Sequence, residues 1–208
     1  MLHNYAQVHI IWIMKKLSAY LFLILFSFQV PSWAEDIRDF QIEGVSIGDS
    51  ALNYFSEELI EKNKRNYYKN KKFTPVEIEY LKRYEVYDVV SFNYKTDDKN
   101  FKIYSLGGAI DYPNNISDCY KKMDEIVVEF SGFLKTLSKS KKTSALFTVA
   151  KLNDTKKTSV YFDDELNGDY IEVACYDYTK ESGFMDHLKV AIIPKVIGDF
   201  LNIAYIDP

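Results

Sequence analysis

At 208 residues, with 26 lysines and arginines against 30 aspartates and glutamates for a formal net charge of −4, the chain is sized for about one domain and is too acidic for a general nucleic-acid binder. Of the three histidines two, His3 and His9, fall in the amino-terminal segment that reads as a leader, so His187 and two cysteines are too few for a metal centre built from several such ligands, and the three arginines, Arg38, Arg65 and Arg83, leave few bidentate clamps for phosphates or carboxylates.

The amino terminus reads as an export signal. Met14, Lys15 and Lys16 form a positive start, Leu17 to Val30 is an apolar run, and Pro31-Ser32-Trp33-Ala34 supplies a breaker and small residues for cleavage. Residues 1–34 are therefore predicted to be an extension plus signal peptide starting at Met14, and residues 35–208 a single exported domain. Cleavage after Ala34 removes two lysines and no acid, leaving 174 residues of net charge −6. The competing expectation is an uncleaved anchor over Val8 to Val30, but Lys15 and Lys16 interrupt a span that needs about 20 apolar residues.

Phe40, Ile42 and Val45 to Ile47 predict a short strand, and Gly48-Asp49-Ser50 a turn into a first helix. Ser56 followed by Glu57 and Glu58 is a second cap, with helix to about Lys64. Asn63 to Lys72 is a polar loop in which Lys64 and Arg65 surround Tyr67 and Tyr68. Cations interleaved with aromatics are suited to phosphates, bases or an anionic surface; in an acidic chain the ordinary reading is a solvated loop.

Val90, Phe92 and Tyr94 alternate within a strand over Tyr84 to Lys95. Thr96 to Asn100 turns the chain, and Phe101 to Tyr112 returns as a hairpin partner in which Gly107-Gly108 predicts a bulge or a close backbone approach. From Ser117 to Ser138 the residues Ile116, Tyr120, Met123, Val127, Phe130, Leu134 and Leu137 form one stripe of a long amphipathic helix with Ser117 as its cap. Cys119 lies on the margin of that stripe.

Lys139 to Lys142 reads as a loop, Ala145 to Val149 as a strand and Asn153 to Lys157 as a turn. Ser159 to Phe162 and Tyr170 to Tyr178 form a second hairpin. In its later strand Ile171, Val173 and Cys175 share one face, and Tyr170, Glu172, Ala174 and Tyr176 the other. Leu188 to Ile193 is a last strand, and Pro194 to Asn202 a short closing helix. The fold class is α+β: an antiparallel sheet of about five to seven strands with one long amphipathic helix and one or two shorter helices packed on it.

Cys119 and Cys175 stand on apolar faces of a helix and a strand in a chain with an export signal, which predicts a disulfide with its Cα atoms about 4.4–6.8 Å apart. Asp163, Glu165, Asn167 and Asp169 have the spacing of the first half of a calcium loop. The twelfth position is Ala174 where a bidentate glutamate is required, and a turn through Asn167-Gly168 explains the same residues. His187 follows Asp186, but strand neighbours point to opposite faces, so the pair offers no catalytic geometry.

No nucleotide, nucleophile-elbow or zinc motif is present, and no cofactor is expected. The expected function is a small secreted or periplasmic binding or accessory module for a protein or envelope ligand. It would touch the membrane only through its leader, and the exposed tyrosines Tyr170, Tyr176 and Tyr178 are the first contacts. The alternatives are a cell-envelope hydrolase with dispersed carboxylates and a membrane-anchored structural protein.

Overall fold

A computed structural model describes residues 37–113, 115–147 and 155–204. The predicted leader, its cleavage site, the last two residues of the predicted strand Ala145 to Val149, and Asn153 and Asp154 of the predicted turn lie outside them.

A two-residue hairpin, β1 (Gln41–Ile42) and β2 (Val45–Ser46), precedes a short helix α1 (Glu57–Lys62), which Ser56 caps by accepting from Leu59 N at 3.2 Å. Three antiparallel strands follow: β3 (Phe73–Glu79), β4 (Val89–Lys95) and β5 (Ser105–Asp111). The long helix α2 (Ile116–Phe133) then leads to β6 (Ser138–Lys139) and β7 (Thr143–Phe147). A second meander, β8 (Thr155–Asp163), β9 (Tyr170–Asp177) and β10 (His187–Ile193), ends in helix α3 (Lys195–Ala204).

All the large sheet's pairings are antiparallel, and its order is β3-β4-β5-β10-β9-β8, with β6 and β7 both pairing with β8. Two meanders thus meet at β5 and β10, and α2 carries the chain from the centre to the far edge. The sheet has eight strands, above the expected five to seven. Two strands that the sequence does not announce account for the difference: β3, and β6, which a bulge sets off from β7, since between their pairings the register on β8 slips by one residue. The predicted loop Lys139 to Lys142 is therefore a strand end and a bulge, and Lys156 and Lys157 belong to β8 rather than to a turn.

β3 was not evident in the sequence, because Pro75 interrupts its pattern. Pro75 O accepts from Arg65 N at 2.8 Å on the outer side of the strand, so the missing N–H also faces outward and removes no bond to β4. A further bond, Glu77 N to Asn63 O at 3.1 Å, closes that edge. Here the loop over Asn63 to Lys72 is a guard strip for an edge strand.

Helix α2 lies on one face of the sheet. Its buried residues are Cys119, Met123, Ile126 and Phe130, while Tyr120 and Val127 are only partly buried. The stripe is thus turned toward Cys119, whose disulfide to Cys175 on β9 has a Cα separation of 6.1 Å and uses both cysteines of the chain. Each buried large side chain contributes about 1.5–3 kcal/mol. Asn115, not Ser117, caps the helix, accepting from Ser117 N at 3.1 Å, and the helix stops at Leu134 rather than Ser138.

The glycine pair in β5 permits close approach. A Cβ on Gly108 would stand 2.5 Å from the buried Tyr87 ring. Gly108→Ala is expected to destabilise the protein by about 2 kcal/mol in urea unfolding. Gly132→Ala, at a helical site with nothing within 4 Å, should instead stabilise it by up to about 1 kcal/mol.

Candidate functional site

The second face of the sheet has its own small core at one end. Phe73, Ala191 and Ile193 pack there with Tyr68 and with Ile197, Phe200 and Ala204 of α3. Gly198 lets α3 approach, since a Cβ there would stand 3.1 Å from the Tyr170 ring. Among the described residues α3 is the only α-helix on this face, and the part beyond it carries aromatic and charged side chains.

Antiparallel register sets His187 on β10 opposite Tyr176 on β9. The His187 ring stacks on Tyr176 at 4.9 Å and leans on Tyr178 at 5.7 Å, and Tyr178 meets Phe184 at 5.3 Å. Asp186 locks the turn that makes this possible, accepting from Tyr178 N at 2.7 Å, and Gly183 takes a positive φ of 74° that returns the chain toward the stack. Phe184 is 55% exposed.

His187 Nδ1 lies 3.0 Å from Met185 O. A carbonyl can only accept, so Nδ1 carries the proton and the neutral ring presents the Nε2 lone pair. Burial pushes the imidazole below its usual value, and Lys189 adds to this against the Met185 carbonyl, Asp111 and Glu77. A group lowered in the folded state is protonated first in the unfolded chain. The stability tied to the neutral ring is therefore complete above about pH 6.5 and lost as pH falls through that value toward the folded one. Between pH 7.5 and 5.5, urea unfolding of the native protein should lose more stability than that of His187→Phe, which keeps the stack. An imidazole titration midpoint at or above 6.5 by NMR would contradict this.

Beside the stack, Lys157 is held between the rings of Tyr176 and Tyr161, at 5.5 and 5.7 Å, and forms an ion pair with Glu172. Burial pulls Lys157 down, but the Glu172 carboxylate and the Tyr161 hydroxyl at 3.2 Å outweigh it, and the net shift is upward. Lys189, two residues from His187 on the same face, has no carboxylate or hydrogen-bond partner among the described residues; its stem crosses Gly107.

The structure divides the sequence-predicted tyrosines. Tyr170 packs under α3, Tyr176 is buried within the stack, and only Tyr178 presents a half-buried ring beside exposed Phe184. The basic loop is tied into the fold by its own contacts. Lys64 pairs with Glu61, Arg65 bonds Glu77 at 3.0 Å and Glu79 at 2.5 Å, Tyr67 donates to Glu77 at 2.7 Å, and Tyr68 is buried against Phe200. Lys64 and Arg65 are thus neutralised by carboxylates of the chain itself, Lys71 donates to the Tyr68 carbonyl at 2.7 Å, and the hollow beside the loop measures about 230 Å³.

The acidic turn is structural as well. Asp169 caps α3 by accepting from Lys195 N at 2.8 Å, Glu165 accepts from Ser138 at 2.6 Å, and Asp164, not Asp163, accepts from Asn167. Burial raises Asp163. Among the described residues no group of three or more histidines, cysteines or acids converges on a point that could hold a metal ion. Sequence reasoning missed Phe184 and set His187 aside; the aromatic pair Tyr176 and Tyr178 was the available signal, but only the β9–β10 register joins them.

Fold and site define a class: a disulfide-stapled α+β protein with an aromatic and cationic patch on one sheet face. Comparisons with protein-family models, with curated proteins and with solved structures found no match. Among the described residues no helix is long and apolar enough to cross a membrane.

Proposed function

We propose that the chain is exported and works as a binding module, contacting a protein or envelope ligand through the sheet face beyond α3. The observation that carries this reading is the row Phe184, Tyr178, His187 and Tyr176 with Lys189 alongside. Aromatic faces and a cation without a carboxylate partner suit binding, since they offer stacking area and charge with little side-chain entropy to lose. Among the described residues no side-chain hydroxyl or thiol is hydrogen-bonded to the free Nε2 of His187, and the Asp186 carboxylate is engaged by a backbone amide. A disulfide is at home in an oxidising compartment, which supports export.

Two measurements test this. Mass spectrometry of the protein recovered from its own host should find Glu35 as the first residue; retention of residues 1–34 would count for an anchor. A photo-crosslinking side chain at Tyr178 should capture a defined partner, whereas one at Val128, 72% exposed on the outer side of α2, should not. Equal capture at both positions would reject the face.

A further inference from the structure

Strand β7 has one unpaired side. It bonds β8 along its inner edge, and among the described residues no backbone group bonds its outer edge. Residues 143–146 are exposed, Leu146 by 65%, and Thr143 to Phe147 contains no charge, proline or glycine. Such an edge is a template for another strand, and proteins normally blunt it. This chain does so elsewhere: the guard strip covers β3, and a bulge with lysines covers the β6 end. The β7 half is left open.

Next to it, a groove of about 370 Å³ runs between α2 and the bulge, with Val127 and Val160 in its wall and Lys139, Lys141 and Lys142 at its rim. Asp124 holds Lys142 at 2.7 Å. Lys139 and Lys141 have no carboxylate partner among the described residues.

We infer that this edge and groove bind an extended segment of another protein that carries carboxylates, added as a strand to β7 with its acids against Lys139 and Lys141. Main-chain bonds would supply affinity and the lysines specificity. Charge favours this occupant over a second copy: β7 itself, Thr143 to Phe147, brings no acid to set against the lysines. A strand pair this short also buries less than the roughly 1,000 Å² expected of a stable dimer.

The probe is a synthetic peptide of alternating threonine and valine flanked by two glutamates at each end, with a twin that has lysines for glutamates. On the mature, disulfide-intact protein, the acidic peptide should slow amide exchange across residues 143–147 at least about tenfold, and its lysine twin should bind at least about tenfold more weakly. Leu146→Lys, a charged edge guard, and the Lys139→Glu/Lys141→Glu pair change exposed side chains and should each weaken binding about tenfold. The inference is overturned by no saturable binding at millimolar peptide, by protection that maps to β3 or to the aromatic face, or by equal binding of the twin. Protection of β7 that rises with protein concentration without peptide would make a second copy the occupant and equally overturn it.

Discussion

Replacing both cysteines, Cys119→Ala with Cys175→Ala, is expected to cost about 4 kcal/mol of stability on the chain-entropy account of a loop this long. The sequence separation is 56 residues, and the enclosed segment contains most of α2, the bulged edge, β8 and most of β9. The unfolded chain without the bridge regains the freedom of all of it. A domain of ordinary stability, about 5–15 kcal/mol, would lose a large fraction. Both sulfurs are fully buried between helix and sheet, so the double alanine variant also gives up some packing. Urea unfolding of the oxidised protein, the reduced protein and the double variant checks this. A midpoint unchanged by reduction would show that the bridge does not restrain the unfolded state.

The second large effect lies on the other face. Lys157 and Glu172 have side chains only 17% and 7% exposed. Lys157→Met leaves a buried carboxylate without its cation, and about 3–5 kcal/mol should be lost. The Lys157→Met/Glu172→Leu double variant removes both charges and should recover most of that loss, because two desolvation penalties disappear with the attraction. The two single variants and the double variant form a cycle in urea unfolding. If the double variant is as unstable as the sum of the singles, the pair does not behave as a coupled unit.

Much of the local structure was legible. Seven-residue spacing in Met123 and Phe130 marks a helix, alternation marks β4 and β9, and the same-face placement of Ile171, Val173 and Cys175 put one sulfur on the side that α2 covers. The misses have common causes. β3 was hidden because Pro75 is tolerated only by virtue of being on an outer edge, and the pattern of a strand does not state whether it will be one. Periodicity alone places the helix stripe one flank off, because Tyr120 and Val127 have the same spacing as Cys119 and Ile126. The partners of Arg65, Glu77 and Glu79, lie 12 and 14 residues away, and only the pairing of the loop with β3 brings them beside it.

By itself, the sequence determined the amphipathic helix, the alternating strands and the cysteine pair, since these depend on side-chain periodicity over a few turns and on a count of two. Tertiary structure alone decided that β10 lies between β5 and β9, that His187 stacks on Tyr176, that α3 leaves part of a face bare and that β7 keeps an open edge. The physical reason is that backbone hydrogen bonds are the same for any pair of strands. Which strands meet is therefore settled by packing between residues far apart in the chain, and the sites follow from that choice.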